Sequence, residues 1–270
     1  GRNGRLYITP DEEQRLSALC SKPDAEYPEQ ALPYDPRNIW CVNYGLDTYD
    51  KLFTNRQLTA LTTFSSLVAE AQAKAEADAA AAGVVNDHIA LSAGGSGARA
   101  YGEAVGVYLS FIISKLADRG SSICSWDSSR EGLRNTFGRQ AVPMVWDYAE
   151  GNPFSNSSGC FDNMLDWVTK CVLELPAQNF GEVSQFDAQS DCGLRNIMVS
   201  SDPPYYDNIG YADLSDFFYV WMRQSLKDTY PKLFRTMLVP KAEELVGVRN
   251  KLAHIGGADF SEDGTWRALD

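Results

Sequence analysis

The chain has 270 residues, 44% of them hydrophobic and 11% aromatic, so it can bury a core and is too apolar for a disordered segment. Its formal net charge of -12 argues against non-specific adhesion to nucleic acid or anionic lipid, although a local basic face can sit on an acidic body. No apolar run approaches the ~20 residues that cross a bilayer, and Gly1-Arg2-Asn3-Gly4 leads into no apolar stretch of a secretion signal.

Residues 10–21 read as a short helix, with Pro10 in its first turn and Asp11, Glu12 and Glu13 behind it. The proline- and tyrosine-rich stretch 22–50 reads as an ordered loop. Thr54 and Gln57 have the spacing of a capping box. Behind them Leu58, Leu61, Phe64, Leu67, Val68 and Ala71 recur at helical spacing, and Gly83 is placed to stop the helix. Gly94-Gly95-Ser96-Gly97 is predicted to be a turn rather than a phosphate loop, because no β-branched strand precedes it and no lysine follows. A helix over 98–118 presents Val105, Tyr108, Leu109, Ile112, Ile113 and Leu116 to the core.

Beyond residue 120, strand-like and helix-like pieces alternate. Residues 122–126 and 141–146 are strand candidates, the second weakened by Pro143. Phe161 to Leu175 is an amphipathic helix. Residues 182–186 and 196–201 are short apolar strands that end at Asp187 and Asp202, and 212–229 is a helix with an aromatic face. This alternation predicts an α/β layer structure with a parallel sheet. Trp126, Trp146 and Trp167 are expected in the core. Arg130, Arg134 and Arg139 could form a basic strip, with a solvated face as the plainer reading. The six cysteines include no Cys-x-x-Cys pair and have only His88 and His254 for company. They are expected to be reduced, mostly buried thiols of a cytoplasmic protein, with no metal site.

The chemistry concentrates in Asp202-Pro203-Pro204-Tyr205, at the end of an apolar strand candidate, where open α/β sheets bind ligands. Two prolines remove two N–H donors and leave carbonyls free to accept. The Asp202 carboxylate and the Pro203 carbonyl could take both hydrogens of an exocyclic amine and stabilise the positive charge that develops on its nitrogen. The Tyr205 ring could stack on a base turned out of the duplex. The same residues could also form no more than a rigid Pro-Pro turn.

This tetrapeptide resembles the motif of the adenine and cytosine amino-methyltransferases of DNA. The longer stretch from Asp202 to Trp221, with Leu52 to Leu58, Gly94 to Leu116 and Gly138 to Asp147, resembles a family of large prokaryotic DNA-methylase-like proteins. Those carry an N-terminal domain of unknown function and are often found in phage-defence gene clusters. The resemblance covers residues 5–245. It implies a Rossmann-like, S-adenosylmethionine-dependent methyltransferase fold with a helix-rich N-terminal part. It makes Asp202, Pro203, Pro204 and Tyr205 catalytic, and sets Asp187 near the donor's adenine, flanked by Phe186 and Ala188. It also implies DNA as partner, and defence-system proteins as possible further partners. The glycine-rich donor loop of such enzymes has no match here and is expected upstream of residue 1.

Arg249 and His254 have the Arg-x4-His spacing of the HEPN family of helical ribonucleases, although so short a piece cannot make that domain. The expected organisation is a helix-rich part over 1–120, a methyltransferase-like part over 121–246 and a helical tail over 247–270. Three functions compete: a DNA amino-methyltransferase, acting on adenine before cytosine; a non-catalytic methylase-like binding or scaffold module; and a HEPN-type ribonuclease remnant.

Overall fold

A hairpin of two long helices sets the architecture of the computed structural model, which describes residues 6–157, 159–176, 181, 183–184, 186–187, 190–202, 209–241, 244, 258–260 and 266–268. Helix α1 (Glu12–Ser17) is short and buries nothing. Helix α2 (Asn55–Ala81) begins at a complete capping box: Thr54 accepts from the Gln57 amide, and Gln57 Oε1 accepts from Thr54 N at 2.7 Å. Gly83, at φ +94°, turns the chain just past the last turn of α2. Helix α3 (Ala98–Arg119) then runs back along α2.

Glycine lets the two helices meet. A Cβ on Gly102 would lie 2.6 Å from the Gln72 carbonyl oxygen, and one on Gly106 would lie 2.6 Å from the Gln72 side chain. Helix α4 (Phe161–Glu174) and helix α5 (Tyr211–Leu226) lie against this pair. The core joins Leu52, Leu58, Ile112, Ile113, Phe217 and Trp221, all at most 2% exposed. Phe53 stacks on Phe217 at 5.8 Å and meets Trp221 edge-on at 5.3 Å, a geometry that suits the ring quadrupoles.

Loops close the core. Ile39 and Val142 form an isolated parallel bridge: Trp40 N donates to Val142 O at 3.0 Å and Val142 N donates to Asn38 O at 2.7 Å. Ser122 N donates to Leu52 O at 2.7 Å. Strands β1 (Trp126–Asp127) and β2 (Gly132–Leu133) make a two-stranded antiparallel hairpin.

Several sequence expectations are corrected. Of the strand candidates at 122–126 and 141–146, only Trp126 and the Val142 bridge take part in pairing. Among the described residues of 181–187 and 196–201 no strand forms. Val183 is 98% exposed and Met198 96%, and an apolar run without a neighbour cannot satisfy its backbone groups in a ladder. Where a helical tail is expected, strand β3 (Ala258–Phe260) pairs antiparallel with strand β4 (Trp266–Ala268). Gly256 and Gly257 disfavour helix, and aromatic Phe260 and Trp266 favour strand. Trp126, Trp146 and Trp167 are 41%, 75% and 56% exposed rather than core. On α4 the buried position is Met164, and Trp167 lies beneath the Lys170 ammonium instead. Cys171 and Cys192 are exposed, while Cys41, Cys124 and Cys160 are buried. Burial pushes the Cys41 thiol up to about 11, so it stays protonated and inert.

Candidate functional site

Asp202 stands in exposed coil at the end of 196–201. Pro203, Pro204 and Tyr205 lie outside the described residues, as does Ala188. Phe186 is about half exposed. Asp187 is exposed; its carbonyl accepts from Ser190 N at 2.9 Å and its carboxylate from Ser190 Oγ at 3.3 Å. Between the two acids, Asp191 and Arg195 form a two-pronged ion pair at 3.0 and 2.8 Å, and Gly193 turns the chain at φ +73°. Arg249 and His254 also lie outside the described residues.

The chain on the far side of the tetrapeptide is firmly anchored. Ile209 is buried, and α5 starts two residues later. Gly210 has no side chain with which to cap α5, so the Ala212 amide donates instead to Glu244 Oε1 at 2.8 Å. One turn on, the fully buried Asp216 accepts from Val239 N at 2.8 Å and from the Lys241 ammonium. Lys241 also reaches Asp213 at 3.7 Å. Val239, Lys241 and Glu244 are thus strapped across the first two turns of α5, through Asp213, Asp216 and the Ala212 amide.

The electrostatics of this strap follow from burial. Desolvation raises the Asp213 carboxyl above its ordinary value, and Lys241 pulls the other way. Tyr49 is 1% exposed, and burial together with the charges of Asp216 and Asp213 holds its phenol protonated. Sequence reasoning passed over this group. The i, i+3 spacing of Asp213 and Asp216 is visible, but nothing local pairs them with a lysine 25 residues beyond Asp216.

The glycine turn is also settled in detail. Asp87 takes the Ile89 amide at 3.0 Å and the Ser96 amide at 3.4 Å. A Cβ on Gly95 would fall 2.1 Å from Ile89 O. The turn is closed on its own chain, as expected for a connector. Of the candidate basic strip, all three arginines are exposed; Arg134 is paired with Asp127 at 3.1 Å and Arg139 lies over the Trp40 ring at 4.2 Å. No group of three or more histidine, cysteine or acidic residues suited to a metal ion occurs among the described residues. No helix among them is long and apolar enough to cross a membrane. Neither a family model, nor a curated protein, nor a solved structure matches the chain.

Proposed function

We propose that this chain carries the catalytic tetrapeptide of an S-adenosylmethionine-dependent DNA amino-methyltransferase with a Rossmann-like fold, acting in the cytoplasm on adenine before cytosine. The observation that carries the reading is Asp202-Pro203-Pro204-Tyr205, between an apolar segment and an anchored helix. Support comes also from the acceptor chemistry of the set. An exocyclic amine is a poor nucleophile because its lone pair is delocalised into the ring. The Asp202 carboxylate and Pro203 carbonyl draw its hydrogens out of the base plane, and the carboxylate offsets the charge that grows on nitrogen. Tyr205 stacks on the base.

Exposed Asp187 and half-exposed Phe186 fit the adenosine part of the donor, as an acceptor for hydroxyl or amine groups and a ring to stack on. S-adenosylmethionine, when bound, supplies an electrophilic methyl group. In the same reading, 182–186 and 196–201, whose described residues form no strand here, pair in one sheet once the donor and DNA are bound, and other defence proteins are partners. A second reading, a methylase-like module that binds a base without catalysis, is favoured by the closed Gly94–Gly97 turn, whose amides are engaged by the protein itself.

The test is transfer of labelled methyl from S-adenosylmethionine to DNA. Asp202→Ala is expected to lower the rate ~10²–10³-fold, the usual loss for one preorganised electrostatic partner, while the protein stays folded. Tyr205→Ala weakens the hold on the base by ~1–3 kcal/mol. An Asp202→Ala protein that transfers methyl at the wild-type rate would reduce the tetrapeptide to a turn.

A further inference from the structure

Away from the tetrapeptide, the start of α2, the end of α3 and residues 150–154 and 159 line a half-open chamber of about 370 Å³, within the range of small-molecule sites. One wall holds the rings of Phe64 and Phe154, with Phe161 stacked behind Phe64. Phe161 stacks on Phe64 at 4.8 Å and 16°, and Phe64 meets Phe154 at 5.7 Å. Phe154 is 78% exposed. Gln57, 6% exposed, forms part of the floor, and its Nε2 has no hydrogen-bond partner among the described residues.

Arg119 stands where the chamber opens into a wider polar groove of about 950 Å³ that also includes exposed Arg130. Its guanidinium has five N–H donors, yet among the described residues it makes a single long hydrogen bond, 3.4 Å to Leu133 O. The stem is gripped from the loop side, since a Cβ on Gly159 would come within 3.3 Å of Arg119 Cδ. The other arginine of the chamber, Arg56, is held by Glu150 at 3.0 Å. The negative end of the α3 dipole accounts for a cation at this place. It does not account for an exposed phenylalanine beside a cavity with, at its mouth, a guanidinium that makes one long hydrogen bond among the described residues.

We propose that this chamber and groove bind a nucleotide: the flat base lies against Phe154 inside, and the phosphate is taken at the mouth by Arg119. An aromatic wall and a planar fork of unused donors are the two halves that a base with an attached phosphate requires. The nucleotide could be free, or one unit of a strand running along the groove. The inference does not rest on the methyltransferase reading.

Titration calorimetry with dAMP, adenosine, inorganic phosphate and a short single-stranded oligonucleotide tests it on the wild-type chain and on Phe154→Ala, Arg119→Gln and Asp202→Ala. The expected result is dAMP binding that falls about 5- to 150-fold in Phe154→Ala, the usual worth of base stacking. In Arg119→Gln, dAMP is expected to bind no better than adenosine. Asp202→Ala should leave binding unchanged, which separates this chamber from a base site at the tetrapeptide. An oligonucleotide that binds at least tenfold more tightly than dAMP and responds to the same two variants identifies the strand as the source; equal affinities identify the free nucleotide. Phe154 is exposed, so its replacement does not threaten the fold. Absence of binding by dAMP and oligonucleotide at millimolar concentration would overturn the proposal, as would wild-type affinity in Phe154→Ala.

Discussion

Asp216 has no solvent access, and its charge is tolerable because Lys241 and the Val239 amide are fixed beside it. Breaking such a pair from one side leaves an uncompensated buried charge. Lys241→Met is therefore expected to destabilise the protein by about 3–5 kcal/mol, read from the midpoint of urea unfolding at neutral pH. A second residue reports on pH. Asp127 accepts from Ser129 Oγ and from the Arg134 guanidinium, and these hold its carboxyl down at about 2. The free carboxyl titrates near ~3.9, so the native state binds fewer protons than the unfolded chain between the two values. The contribution of Asp127 is complete above ~4 and is lost as the pH falls towards 2. A carboxyl-carbon NMR titration should place its midpoint near 2, and Asp127→Asn should remove that part of the acid sensitivity.

Between α2 and α3 the contact is set by absent side chains. Gly102→Ala would push a methyl group against backbone, with Gln72 O at 2.6 Å and Glu76 N at 3.1 Å. Gly106→Ala meets side chain instead, Gln72 Cγ and Cδ at 2.6 Å, and shifting these atoms gives up the Gln72 bond to Thr229. Alanine favours a helix over glycine by roughly 0.5–1 kcal/mol, whereas overpacking costs ~1–3 kcal/mol. Both substitutions should lower the melting temperature, Gly102→Ala more than Gly106→Ala, because backbone cannot give way as a side chain can. The same contact shows what was legible in the sequence. The capping box at Thr54 located the start of α2, and Ile112, Ile113 and Leu116 marked the buried face of the second half of α3. The first half of that face is Ala98, Ala100, Gly102 and Gly106, residues with no hydropathic signal. The runs at 182–186 and 196–201 carry the local signature of strands, but a strand exists only with a partner, and partners are not written locally. At the tetrapeptide the chemistry could be read from residue types. The strap from Lys241 to Asp216 could not, because it is a long-range pairing of a lysine with an acid that looks surface-bound in sequence.

At the scale of the molecule, burial is very uneven. The centre of α3 and the Phe217–Trp221 stretch of α5 sit in the core, whereas α1 and the coil 190–202 are exposed throughout. Amide hydrogen exchange should therefore be slowest around Ile112 and Trp221, and fast over Glu12–Ser17. The methyltransferase reading adds a sharper expectation: residues 196–201 should gain protection when S-adenosylmethionine and DNA are present, because that reading seats them as a strand. Exchange there that stays fast with both ligands would count against the sheet.

The parallel bridge between Ile39 and Val142 has a bearing on how the chain reaches this shape. It ties together segments roughly 100 residues apart, and the entropy of closing so large a loop has to be met before any local gain is returned. The α2–α3 hairpin lies wholly inside that loop and forms through near neighbours in the chain, which makes it the natural nucleus. With the two long helices formed first, a shorter distance remains for Trp40 N to reach Val142 O, so the bridge is expected to close late. Loosening the bridge is then expected to quicken unfolding chiefly, and disturbing the glycine-lined seam between the helices to slow folding, both read from stopped-flow rates against urea.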